Sequence, residues 1–125
     1  MAGQILSYET VLNRLLAEVP ELRPLYDEHL HDNDEALPHV FLGEVTRYVM
    51  QLVRELDQTH DLNFLDPLAR VLSFLENAMI SPDTRVQELV SVSFLENLDP
   101  ADDRYTRLKA LLGPNLRREL KAYDK

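Results

Sequence analysis

Apolar residues return every three or four positions through most of this chain, the period of helices with one buried face. Val11, Leu12, Leu15, Leu16 and Val19 form the first stripe, and the Ser7 hydroxyl just upstream is placed to cap a helix that begins there. A short helix is expected from Pro20 to about Leu30. Pro38 opens the longest one, to about Gln58, with Phe41, Val45, Tyr48, Val49, Leu52 and Leu56 on one stripe. Leu42 and Val53 widen that stripe, which puts this helix at the centre of the molecule. Two further stripes follow: Leu68, Val71, Leu72, Leu75 and Met79 between Pro67 and Ala78, then Val86, Leu89, Val90, Phe94 and Leu98 between Pro82 and Leu98. The short turn at Ile80 and Ser81 makes these two helices antiparallel neighbours. Two short helices close the chain, through Tyr105, Leu108, Leu111 and Leu112, and through Leu116, Leu120 and Tyr123.

Proline punctuates this pattern. Asp66-Pro67, Ser81-Pro82 and Asp99-Pro100 each set a capping side chain before a proline, whose missing N–H costs nothing at the first helical position. Val19-Pro20, Leu37-Pro38 and Gly113-Pro114 read as further starts, with Gly113 suited to a left-handed cap on the preceding helix. The pentapeptide Ser73-Phe74-Leu75-Glu76-Asn77 recurs as Ser93-Phe94-Leu95-Glu96-Asn97. The two copies fall at matching places in the two antiparallel helices, as stacked helical units would require. With no strand signal, the expectation is one all-α domain over residues 1–125. Its six or seven helices are expected to pair into armadillo- or HEAT-like hairpins of an α-α superhelix.

Composition narrows the setting. A chain of 125 residues buries enough surface to fold without a staple, and the absence of cysteine removes thiolate chemistry and points to a reducing compartment, the cytoplasm. Met1 to Glu9 lacks the basic start and apolar stretch of a secretory signal, and no apolar run reaches the roughly 18 residues of a membrane span, so no membrane is expected. The net charge of -9 is confined to the stretch from Met1 to Asp66, while Pro67 onward is neutral and the part beyond Arg104 is basic. Such an acidic half disfavours nucleic acid as a partner and suits a basic protein.

Polar chemistry concentrates in Asp27, Glu28, His29, His31, Asp32, Asp34, Glu35 and His39, read as a solvated loop between two helices with His29 and His31 exposed. These residue types could hold a divalent metal whose bound water hydrolyses a substrate, yet they match neither a His-Glu-x-x-His helix nor a calcium loop. His39, in the first turn of the long helix, could act as a base with Glu35 or Glu44 orienting it, but no serine or cysteine nucleophile accompanies it in sequence. Glu76 and Glu96 of the repeat are expected to face water or neighbouring backbone rather than to cooperate as a catalytic pair. The basic tail with Arg117, Arg118, Lys121 and Lys125 lacks interleaved aromatics, and docking against the acidic half is one use for it.

Three stretches, Leu37-Pro38-His39-Val40-Phe41-Leu42-Gly43-Glu44, Leu89 to Leu98, and Leu111-Leu112-Gly113-Pro114-Asn115-Leu116, resemble a family of small uncharacterised bacterial proteins with an armadillo-like helical fold. The resemblance implies the fold and carries over no catalytic residues. In size and charge the chain is also similar to immunity proteins that neutralise bacterial toxins, an analogy at that level only. The expected function is therefore a non-enzymatic interaction module without a cofactor. It would offer Asp27, Glu28, His31, Asp32, Asp34, Glu35, His39 and Glu44 to a basic protein partner. A metal-dependent enzyme built on residues 27–44 is the alternative, and a homo-oligomer using surplus apolar positions such as Leu42 and Val53 is a third reading.

Overall fold

The computed structural model describes residues 6–123, and among them there are seven α-helices and no strand. The start of the Met1–Glu9 stretch, residues 1–5, lies outside the described residues. The helices are α1 (Val11–Glu18), α2 (Arg23–Asn33), α3 (Pro38–Thr59), α4 (Leu65–Ala78), α5 (Thr84–Val90), α6 (Tyr105–Leu111) and α7 (Pro114–Lys121). Short 3-10 turns at Pro20–Leu22 and Leu62–Phe64 lead into α2 and α4, and a π-helical turn, Ser91–Leu95, continues α5. The all-α class expected from the apolar period stands.

α3 is the hub: it packs against α2, α4, α5, α6 and the π-turn. Phe41, Leu42, Val45, Val49, Leu52 and Val53 are all buried along it. The wide stripe thus serves the core, and Leu42 and Val53 are not surface positions available to a second subunit. Phe94 and Leu95 from the second pentapeptide and Phe74 and Leu75 from the first also lie in the core. Filling these positions stabilises the fold by about 1.5–3 kcal/mol for each large apolar side chain.

Several helix boundaries differ from the expectation, each for a local reason. The first helix starts at Val11, because Ser7 spends its hydroxyl and amide on a turn with Thr10. The cap of α5 is Asp83, which accepts from the Arg85 N–H at 3.0 Å. Ser81 instead accepts from the Asp83 N–H at 3.1 Å and donates to the Leu6 carbonyl at 2.6 Å. Asp99-Pro100 forms a turn in which Asp99 accepts from the Ala101 N–H, and α6 waits until Tyr105. Gly113 is extended, not left-handed (φ -77°, ψ 177°), and precedes α7 as its N-cap. The left-handed caps are Asp34 (φ 64°) after α2 and His60 (φ 56°) after α3, residue types that tolerate this region better than most.

The apolar stripe predicts regular α-helix from Pro82 through Leu98, and the chain breaks it with the π-turn. There the Glu96 N–H reaches the Ser91 carbonyl at 2.9 Å, one residue further than an α-turn. The carbonyl of Ser93 is taken by side chains, from Thr46 Oγ1 at 3.1 Å and Asn97 Nδ2 at 2.8 Å. The Ser91 hydroxyl donates to Glu119 at 2.7 Å and lies 2.6 Å from the Tyr123 hydroxyl, tying the turn to α7 and the residues after it.

Candidate functional site

The segment that reads as a loop is mostly helix. α2 runs to Asn33, and only residues 34–37 connect it to α3. Tyr26, His29 and Asn33 recur at the helical period on its inner face, leaving Asp27, Glu28, His31 and Asp32 exposed on the outer one. Asp34 and Glu35 extend that exposed surface past the left-handed cap.

His29 is the largest departure from expectation, since only 1% of its surface is exposed. Its Nε2 accepts from the Leu37 N–H at 3.0 Å, so the ring proton sits on Nδ1, which donates to Glu44 Oε2 at 3.1 Å. The Asn33 amide donates to the His29 carbonyl at 2.9 Å, and the ring lies near Phe41 and Tyr26, with centroids 5.4 and 6.2 Å away. These bonds pin the α2–α3 connection and occupy both ring nitrogens, which removes His29 as a metal ligand in this arrangement. Among the described residues, no three His, Cys, Asp or Glu side chains converge so as to hold a metal ion.

Of the eight residues expected to meet a partner, Glu28, Asp32 and Glu44 come together. They line a groove between α2 and α3 with Leu25, Arg47, Tyr48 and Gln51. Burial, and then the nearby Glu21 carboxylate, push the Tyr48 hydroxyl above the ordinary tyrosine range. Asp27, His31, Asp34 and Glu35 flank the groove on the exposed surface of α2 and its cap. His39 does not join them. Five residues before Glu44 on α3, it is turned about 140° around the helix from it. Its Nδ1 lies 2.6 Å from the Ser93 hydroxyl of the π-turn.

Four arginines outside this segment are engaged with carboxylates. Arg70 holds Glu21 and Asp66 and donates to the Glu18 carbonyl, fastening the end of α1 to α4. Arg85 holds Asp83 and Glu9, and Asp83 also accepts from the Tyr8 N–H at 2.8 Å. The Arg85 guanidinium and these N–H donors hold the Asp83 carboxyl down to about 2. Arg104 does the same for Asp102, also to about 2, while donating to the Met50 carbonyl. Arg107, on α6 and upstream of the basic tail, pairs with Asp57 at the end of α3. Arg117 instead caps α6, donating to the carbonyls of Ala110 and Leu112.

Sequence reasoning misses Ser93 and the second role of Glu76. Ser93 lies on the apolar stripe between Val90 and Asn97, and a hydroxyl at a core position has to find a polar partner. Glu76 does face backbone, as expected, and its two oxygens accept from the N–H groups of Asn115 and Leu116 at 2.8 and 2.9 Å, capping α7 from outside. A motif search offers no signal for a contact between residues about 40 apart.

With seven helices and this site in place, the sequence matches the family described as Domain of unknown function (DUF7674) over residues 12–125. The chain belongs to the DUF7674 family. No curated protein and no solved structure matches it. The DUF7674 match covers all seven helices except the first residue of α1, so the residues of the α2–α3 groove and of the His39–Ser93 contact lie within the matched span. Among the described residues, no helix of this DUF7674 chain is long and apolar enough to cross a membrane.

Proposed function

We propose that this chain is a protein-interaction module whose binding face is the acidic surface of α2, its cap and the adjoining groove. One observation carries this reading. Arg70, Arg85, Arg104 and Arg107 all engage carboxylates elsewhere, whereas Asp27, Glu28, Asp32, Asp34 and Glu35 make no ion pair among the described residues. Five exposed, uncompensated carboxylates on one helix and its cap form a field that speeds the approach of a basic surface and selects for it. Arg47 sits within the groove and Arg23 lies over the Tyr26 ring at 5.8 Å, so the face is negative without being uniform. Tyr48 and Leu25 supply the apolar contact that charge alone lacks.

The concrete form we favour is a bacterial, cytoplasmic immunity or inhibitor protein, with helical hairpins stacked in the armadillo manner and carboxylates covering the basic active site of a toxin. The acidic first half and the cysteine-free composition support that setting. The test is capture of a partner from the native host with the wild type, then with Asp32, Asp34 and Glu35 all changed to Lys. Association at low salt is expected to slow by at least ~10-fold in the variant, with a flatter salt dependence. Unchanged binding of the variant at low salt overturns this reading.

A further inference from the structure

The His39–Ser93 contact joins two residues that lie 54 apart in sequence, and it does so with a nucleophile and a base. We propose that Ser93 and His39 form a catalytic pair that hydrolyses small, activated carboxylic esters through an acyl-serine intermediate. The pair lies away from the α2 groove, so this activity goes beyond the binding reading and does not depend on it.

Four observations support it. The Ser93 Oγ to His39 Nδ1 distance of 2.6 Å is within the range in which imidazole takes a hydroxyl proton. Ser93 sits in the π-turn, a geometry that recurs at functional sites, and the turn is held in place by the bonds of Thr46 and Asn97 to the Ser93 carbonyl. His39 lies in the first turn of a 22-residue helix, where its own N–H and that of Val40 have no acceptor among the described residues. Such amides can stabilise a developing oxyanion. Val40 and Val92, the sequence neighbours of His39 and Ser93, are exposed at 46% and 42%, so apolar side chains reach the surface on both elements that carry the pair. Ser93 itself keeps 5% of its surface exposed, which restricts access to small electrophiles.

In the reaction, Ser93 Oγ adds to the ester carbonyl carbon while its proton passes to His39 Nδ1. The bond to the leaving alcohol breaks and that oxygen takes the proton. Water then attacks the acyl-serine carbon, its proton moves through His39 to Ser93 Oγ, and the carboxylic acid departs.

The sequence supplies its own control. Ser73 occupies the same place in the first pentapeptide, but on regular α4, exposed and without a histidine. A small fluorophosphonate should label Ser93 and not Ser73, with the site read by peptide mass spectrometry. The label should disappear in Ser93→Ala and persist in Ser73→Ala. Hydrolysis of p-nitrophenyl acetate should show a stoichiometric burst and fall at least ~100-fold in both Ser93→Ala and His39→Gln. Far-UV circular dichroism checks that the variants keep their helices. Absence of label on folded wild type, equal labelling of Ser73, or ester hydrolysis that survives Ser93→Ala overturns the proposal; the last outcome assigns the reaction to a surface imidazole alone.

Discussion

Replacing Gly113 by alanine is expected to destabilise the protein, although the backbone there is extended and any residue could adopt it. The reason is Glu76. A Cβ on Gly113 would stand 2.5 Å from the Glu76 carboxyl carbon and 2.7 Å from one of its oxygens. That carboxylate accepts from the Asn115 and Leu116 N–H groups, so moving it uncaps α7. Losing an N-terminal cap of this kind costs about 2 kcal/mol at the upper end of measured caps. Against this, alanine restricts the unfolded chain and returns about 0.5 kcal/mol, leaving a net loss of about 1.5 kcal/mol. Glu76→Ala alone should cost about 2 kcal/mol by the same reasoning, or about 8 °C in Tm for a domain of this size. The informative protein is the double variant. With Glu76 shortened, the three atoms nearest the new Cβ are gone, and Gly113→Ala should become neutral or stabilising by about 0.5 kcal/mol. Urea denaturation of the four proteins measures this coupling, expected at about 2 kcal/mol. If the two changes add to within about 0.5 kcal/mol, the carboxylate does not cap α7 in the way described.

His29→Ala should cost about 3 kcal/mol in chemical denaturation, because it strands the Leu37 N–H and the Glu44 carboxylate as well as leaving a cavity; a loss below about 0.5 kcal/mol would show that the α2–α3 connection is held by other means. Phe94→Ala, at a fully buried position, should cost about 3–5 kcal/mol in the same assay, and an unchanged midpoint would contradict its place in the core. For Asp83, held to about 2 when folded against an ordinary 3.8, the linked stability is present above about pH 4 and disappears as pH falls toward 2. The stability gap between wild type and Asp83→Asn should therefore be flat above about pH 5 and close between about pH 4 and 2; a gap that persists unchanged at the acid end would refute the pairing with Arg85.

The helical class and the long central helix are legible because apolar spacing is a property of consecutive residues. Pro38 marks the start of α3 correctly, since proline fits only where an N–H has no partner. Sequence and structure part where a distant group wins a local competition. Ser81 resembles an N-cap, but its hydroxyl is drawn to the Leu6 carbonyl and the cap passes to Asp83. His29 reads as exposed because charged residues surround it in sequence, yet the helical period turns it inward while its neighbours face out. At the candidate site, the acids of α2 can be read as a group, whereas Ser93 cannot be paired with His39 without knowing how α3 meets the π-turn.

The π-turn also bears on how this sequence can change. A hydrogen bond from Glu96 to Ser91 encloses one residue more than an α-turn does. Residues 91–95 therefore carry a surplus position within a continuous helical path. Removing a single residue there would let the helix close up into ordinary α geometry. The five residues of the π-turn wind through about the same angle as four residues of α-helix, so the chain on either side would keep its facing. Val90 and Leu98 would stay in the core, and the position that changes is that of Ser93 within the turn, which would lose its place opposite His39. In an alignment of relatives, a one-residue gap at this turn would be the mark of a chain that keeps the core and gives up the pair.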